Sequence, residues 1–194
     1  MYEQKDFSHL LGTPGFSDKL LQNHFKLYAG YVTNTNKLTG TLKTMIQEGK
    51  TATPEFAELK RRFGWEFNGM RLHELYFENM SKDKKTLPED SLLAQQMAKS
   101  LGSVQARMDT FVSVGSMRGI GWVVMYYDPV AKKLFCQWIN EHDAGHLAGA
   151  VPLLVMDVFE HAFITDYGLN KAEYIKAFVN AIDWDVVRKR FGEA

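Results

Sequence analysis

Between Pro152 and Tyr167 the sequence PLLVMDVFEHAFITDY sets Asp157, Glu160 and His161 in an otherwise apolar stretch. Burying an ionised carboxylate is costly unless it is paired or holds a metal, and imidazole is the commonest metal-ligating side chain. One carboxylate and one imidazole are too few to define a metal site. The stretch by itself better fits a strand ending in a capping Asp, followed by a helix whose His is hydrogen-bonded in the core. Two further histidines, His24 and His73, fall on apolar faces of predicted helices, and each alone reads as readily as a core histidine. Taken together, His24, His73, Asp157 and His161 offer three imidazoles and one carboxylate, a set that suits Fe, Mn or Zn, whereas Ca and Mg ask for more oxygen. His142 and His146 sit in a loop, NEHDAGHLAGA, and His146 reads as an ordinary surface histidine. No G-x-G-x-x-G or P-loop spacing follows a strand, and neither G-x-S-x-G nor H-E-x-x-H occurs.

The elements that must position these groups follow from periodicity. Ser17 and Asp18 offer N-cap chemistry for a helix from Lys19 to about Gly40. Leu20, Leu21, His24, Leu27, Tyr28, Tyr31, Val32, Thr35 and Leu38 share one face of it. Pro54 opens a second helix that runs to Met80 with a break expected at Gly64, and Phe56, Leu59, Phe63, Phe67, Met70, His73 and Phe77 mark its inner face. Antiparallel helices joined by a short link would set His24 and His73 opposite each other. The charged SKDKKTLP segment, Ser81–Pro88, divides the chain into 1–86 and 87–194. Beyond it, helices are expected over Glu89–Lys99 and Ser103–Ser116. Strands follow over Gly119–Tyr127, Lys133–Ile139 and Pro152–Met156, and then helices over Lys171–Ala181 and Asp183–Arg190. The fold class is α+β: an N-terminal long-helix hairpin packed on a C-terminal α/β unit with a three-stranded antiparallel sheet.

Composition narrows the partners. The 194 residues carry 23 Lys+Arg against 23 Asp+Glu, a net charge of +0, so no global field favours nucleic acid or an anionic membrane. The single cysteine, Cys136, forms no intrachain disulfide and rules out a thiolate-rich metal site. MYEQKDFSHLL lacks the basic start and apolar core of a secretory signal, and no apolar run nears the roughly 18 residues that span a bilayer. A soluble, cytoplasmic protein is expected.

These residues resemble the iron/manganese superoxide dismutase family. The match centres on DVFEHAF at Asp157–Phe163, against a family signature D-x-W-E-H-A-[FY]. It extends to YVTNTNKL at Tyr31–Leu38, the FN…LHELYF stretch around His73, GIGWVV around Trp122 and AFVNAIDW at Ala177–Trp184. The resemblance implies one Fe or Mn ion per subunit held by His24, His73, Asp157 and His161. It also implies superoxide as substrate and a homodimer in which Glu160 contacts the partner. The surroundings of Val155 and His142 favour iron. Tyr31 would guard the access channel and help deliver protons, His142 would stand where members carry a Gln that hydrogen-bonds solvent at the metal, and Trp122 and Phe159 would wall the pocket.

Departures cluster on the first helix and the subunit face. The family places its first ligand eight residues before the Tyr, whereas His24 precedes Tyr31 by seven and Asn23 takes the eight-back position. Seven residues of regular helix turn through about 700°, close to two full turns, while eight would need a π-bulge. A straightened helix is therefore expected. Gly69 stands at the helix position that can carry the Gln, Phe159 replaces a Trp, and Leu27 or Tyr28 and Ile164 replace the His and Tyr that bridge subunits. Two alternatives remain at this point: a mononuclear iron oxygenase, which a third His disfavours, and a non-catalytic superoxide-dismutase-like metal-binding dimer.

Overall fold

The computed structural model describes residues 1–192; residues 193 and 194, at the end of the expected C-terminal part, lie outside the described portion. Helix α1 (Asp18–Gln47) starts where Ser17, in extended backbone, accepts the Leu20 N–H on its hydroxyl. It runs past the expected stop at Gly40, which is exposed with open space around its Cα. A lone surface glycine costs a helix only about 1 kcal/mol, too little to end one. Helix α2 (Pro54–Glu78) has Thr53 as its cap and Pro54 in its first turn, and it continues unbroken through Gly64 for the same reason.

The inner face of α2 differs from a purely apolar stripe. Glu66 and Glu74 are buried on it. Glu66 accepts two bonds from Arg62, at 3.0 and 2.8 Å, while Glu74 takes the Arg71 guanidinium at 2.6 Å and the Tyr28 hydroxyl at 3.0 Å. Paired in this way, the carboxylates tie α2 to α1 instead of breaking the interface. Leu27, expected inside, is 37% exposed.

Helices α3 (Leu92–Leu101) and α4 (Val104–Gly115) are separated by Gly102 in the left-handed conformation, φ 84°. Three strands follow, β1 (Gly121–Asp128), β2 (Lys133–Asn140) and β3 (Val151–Asp157), in the order β2-β1-β3, antiparallel throughout. The central strand carries Trp122 opposite both Ile139 and Asp157. Gly121 permits this start: its φ is 147°, and a Cβ there would lie 2.1 Å from the Ile139 carbonyl oxygen. Helices α5 (Ile164–Tyr167), α6 (Lys171–Asn180) and α7 (Trp184–Gly192) complete the order, with α2 and α7 packed on β3 and α4 on β1 and β2. An N-terminal helical hairpin joined to a three-stranded antiparallel sheet with helices is the expected α+β architecture.

Strand β3 lies at a sheet edge, where backbone groups would otherwise stay unpaired. Asn79, fully buried just after α2, fills the place of a missing strand. Its carbonyl oxygen accepts the Val155 N–H at 2.9 Å and its amide donates to the Val155 carbonyl at 3.1 Å. Arg190 of α7 adds a bond to the same Asn79 oxygen at 3.2 Å and another to the Leu153 carbonyl at 2.9 Å. Asn79→Ala should lower the free energy of unfolding by about 3 kcal/mol, because it leaves both Val155 groups buried and unpaired. Urea unfolding checks this, and an unchanged midpoint would contradict the edge-closing role.

Candidate metal centre

Each of the four candidate ligands arrives on a different element. His24 comes from α1, His73 from α2 and Asp157 from the last position of β3, while His161 lies in a 3-10 turn, Glu160–Ala162, two residues before Phe163 at the start of α5. Asp157 is aimed by its own backbone. Its Oδ1 accepts the Phe159 N–H at 2.8 Å, and its main-chain carbonyl accepts the Tyr174 hydroxyl at 2.6 Å. Oδ2 is thereby left facing inward. The Nε2 atoms of His161, His24 and His73 stand 3.1, 3.2 and 3.7 Å from it. One ligand atom from each of the four residues lies within 4.8 Å of every other, and three of the four side chains are buried.

His73 shows what this arrangement lacks as protein alone. Its Nδ1 lies 2.5 Å from the Gly69 carbonyl, so that nitrogen carries the proton and Nε2 is a lone pair. Nε2 is buried without a hydrogen-bond partner and is turned towards an anionic carboxylate oxygen. Two lone pairs facing each other in a buried site repel unless a cation lies between them, and the Gly69 contact is the usual way a protein orients a ligating imidazole. The four residues therefore fit a single transition-metal ion. Burial lowers the pKa of both His24 and His73, His73 well below the ordinary 6.5, and keeps these rings neutral as ligation requires. Burial alone would raise the Asp157 carboxyl, but His161 and His24 beside it hold it below its ordinary value.

A second layer closes over these groups. Helix α1 is regular α-helix throughout, and across its seven-residue spacing Tyr31 stacks on His73 at 5.1 Å between ring centroids. Room for the Tyr31 ring exists because residue 69 is Gly: a Cβ there would sit 2.6 Å from Tyr31 Cδ1. Trp122 Nε1 donates to His142 Nδ1 at 3.0 Å. An indole N–H can only donate, so a neutral His142 must carry its proton on Nε2, which lies 2.8 Å from the Tyr31 oxygen and donates to it. Burial pushes His142 down to about 4 and keeps it neutral. Tyr31 then has its own proton free, and burial followed by the Asp157 charge raises its pKa above the ordinary 10. Phe159 packs between His142 and His161, with centroids 5.0 and 5.3 Å away.

Residues 88–190 match the family model for the C-terminal domain of iron/manganese superoxide dismutases. An iron superoxide dismutase of Cupriavidus metallidurans is 35% identical over 185 residues, covering 93% of this chain and 90% of that protein. The chain belongs to the iron/manganese superoxide dismutase family. A manganese superoxide dismutase of Haloferax volcanii is 31% identical over 182 residues, 93% of this chain and 89% of the relative. An iron enzyme of Aquifex pyrophilus is 29% identical over 197 residues, 99% and 92%. Superoxide dismutases named for either metal are thus among its relatives. No helix among the described residues is long and apolar enough to cross a membrane.

Within this superoxide dismutase framework, the residues expected at the site fall around one centre. Glu160, Leu27 and Ile164 instead lie on the outside, Ile164 44% exposed, and His161 is the one ligand with solvent access, its side chain 31% exposed. Tyr28, the other residue considered for the bridging position, is buried against Glu74. His146 is exposed, as expected of a surface histidine, but it is not without partners. Its Nε2–H donates to the His142 carbonyl at 2.8 Å and Nδ1 accepts the Tyr126 hydroxyl at 2.7 Å. Trp65 was not apparent from apolar periodicity. Its signal was the ridge Trp65–Gly69–His73, spaced by four, which lines up along α2.

The neutral rings set the acid sensitivity of the metal-free chain. His24, His73 and His142 have folded pKa values below the unfolded 6.5, so below that pH the unfolded state binds protons that the folded state refuses. Stability should therefore fall as pH drops from about 6.5, with the His142 share lost by about 4. Asp157, lowered from 3.8, adds a further loss only below that value. Urea midpoints of metal-free protein at several pH values test this, with His142→Gln giving a shallower slope between 6.5 and 4; a flat profile there would contradict neutral buried imidazoles.

Proposed function

We propose that this protein dismutes superoxide, 2 O2•− + 2 H+ giving O2 + H2O2, at a single iron or manganese ion held by His24, His73, Asp157 and His161. The observation that carries the reading is the partnerless His73 Nε2 directed at Asp157 Oδ2 in a buried, three-imidazole, one-carboxylate set. When bound, the ion would supply a one-electron M(III)/M(II) couple, and the net charge of three neutral imidazoles and one carboxylate leaves both states accessible. Iron is favoured here, since His142 stands where a Gln is usual.

The protein's own residues would handle position and protons. Tyr31 stays protonated and has its hydrogen free of His142, so it can offer that proton towards the centre, while the His142 Nε2–H holds the phenol oxygen in position. Trp122 fixes the His142 tautomer from behind. Trp122, in edge contact with His73 at 4.9 Å, and Phe159 would keep the space around the ligands dry. The chain would act as a homodimer through the face bearing Glu160, where Leu27 and Ile164 bring apolar contact in place of a polar bridge.

Loading with iron and with manganese separately, followed by metal analysis and a superoxide-competition assay, tests the activity and the metal preference. One ion per chain with dismutation is expected; stoichiometric metal without dismutation would leave a metal-binding scaffold. His161→Ala should lose both metal and activity. Gly69→Ala should keep the metal but displace Tyr31 from His73 and His142, lowering kcat by about 10²-fold, the scale on which general acid groups contribute. For the dimer, Leu27→Asp should shift the sedimenting species towards monomer, and an unchanged dimer would refute this face as the interface.

A further inference from the structure

The loop that delivers His142 is fastened from outside by groups that neither bind the metal nor face it. Strand β2 ends at Asn140, which exchanges backbone bonds with Ala144 at 2.8 and 3.3 Å, so Glu141–Asp143 form a tight closed turn. Glu141 sits in that turn at φ 52°, a left-handed conformation unfavourable for a residue with a side chain. Such strain persists only where surrounding contacts enforce it. The conformation sends neighbouring side chains in opposite directions, His142 into the protein and Glu141 out towards α2. There the Glu141 carboxylate accepts the Trp65 Nε1–H at 3.2 Å. The Trp65 ring packs edge-on against His142, 4.5 Å between centroids at 61°, and against Tyr31 at 5.5 Å. Its outer side is covered by the Arg62 guanidinium, 3.9 Å from the ring centroid, and Arg62 is itself held by buried Glu66. Trp65 is thus in contact with both partners of the 2.8 Å His142–Tyr31 bond.

We propose that Trp65 is a positioning residue for the His142–Tyr31 hydrogen bond and that Glu141 is the latch that holds it there. The indole shuts water away from the single N–H of His142 and fixes the distance at which that N–H meets the Tyr31 oxygen. Without it, both rings gain space on the solvent side, and the bond competes with water. The strained Glu141 backbone is retained because it lets one two-residue step supply both the inward imidazole and the outward acceptor. Arg62 stiffens the indole by stacking, with its charge already compensated by Glu66. The consequence for turnover rests on the dismutase reading above, whereas the consequence for the His142 proton does not.

Two measurements separate these. In full-length, 15N-histidine-labelled protein loaded with zinc as a diamagnetic stand-in, which a three-His, one-Asp set accepts, exchange of the His142 Nε2 proton with water is read by NMR. Trp65→Ala should speed that exchange by about tenfold, the factor expected when an aromatic packing partner is lost. Trp65→Phe, which keeps a ring but loses the N–H, should fall between parent and Ala, and Glu141→Ala should match Trp65→Phe. In iron- or manganese-loaded protein the same variants should lower kcat in the same order, with KM and metal content little changed. A Trp65→Ala protein that binds zinc stoichiometrically and keeps the parental exchange rate would overturn the proposal. Should Trp65→Ala not fold, an unaltered exchange rate in Glu141→Ala would overturn it instead. Loss of the dismutase reading would show as absent turnover in the parent, with the exchange results unaffected.

Discussion

A buried carboxylate oxygen surrounded by imidazole nitrogens is the constraint around which this molecule is built. Asp157 Oδ2 lies within 3.1 to 3.7 Å of three Nε2 atoms, and its other oxygen and its main-chain carbonyl are already taken by Phe159 N–H and the Tyr174 hydroxyl. Among the described residues nothing hydrogen-bonds the His73 Nε2 lone pair at that point. The demand for a cation follows from hydrogen-bond accounting before any ligand chemistry is invoked. Each neighbouring feature then has a task set by that demand: the Gly69 carbonyl fixes one tautomer, burial keeps the rings neutral, and β3 must end at one residue only.

Much of this was legible in the chain. The Ser17 cap, Pro54 and the apolar periodicity located the two long helices, the β-branched and aromatic runs located the sheet, and the helix expected from Glu89 begins at Leu92, where Ser91 caps it. The candidate ligands were visible because each is a polar residue on an apolar face or at the end of an apolar run. The seven-residue step from His24 to Tyr31 was readable as geometry, since only an unbroken α1 presents both on one side.

What the sequence withheld has a common physical origin in contacts between residues far apart. Glu66 and Glu74 look like surface charges until Arg62, Arg71 and Tyr28 are seen beside them. His146 has no apolar pattern to mark it, and its role depends on a carbonyl four residues earlier and a hydroxyl on β1. Trp65 reads as one more aromatic on α2. Its position against His142 depends on a left-handed Glu141 that no composition rule would place in a turn without Gly or Asn.

The spread of the ligands along the chain also orders events during synthesis. His24 and His73 belong to the hairpin made first, and α1 and α2 can pair as soon as both have emerged, by local contacts. Asp157 and His161 reach them only after the whole sheet has been laid down, β3 being the last strand made. Until then the hairpin carries two imidazoles with no carboxylate to meet. The four-residue set is therefore complete only once β3 and the turn after it have been made.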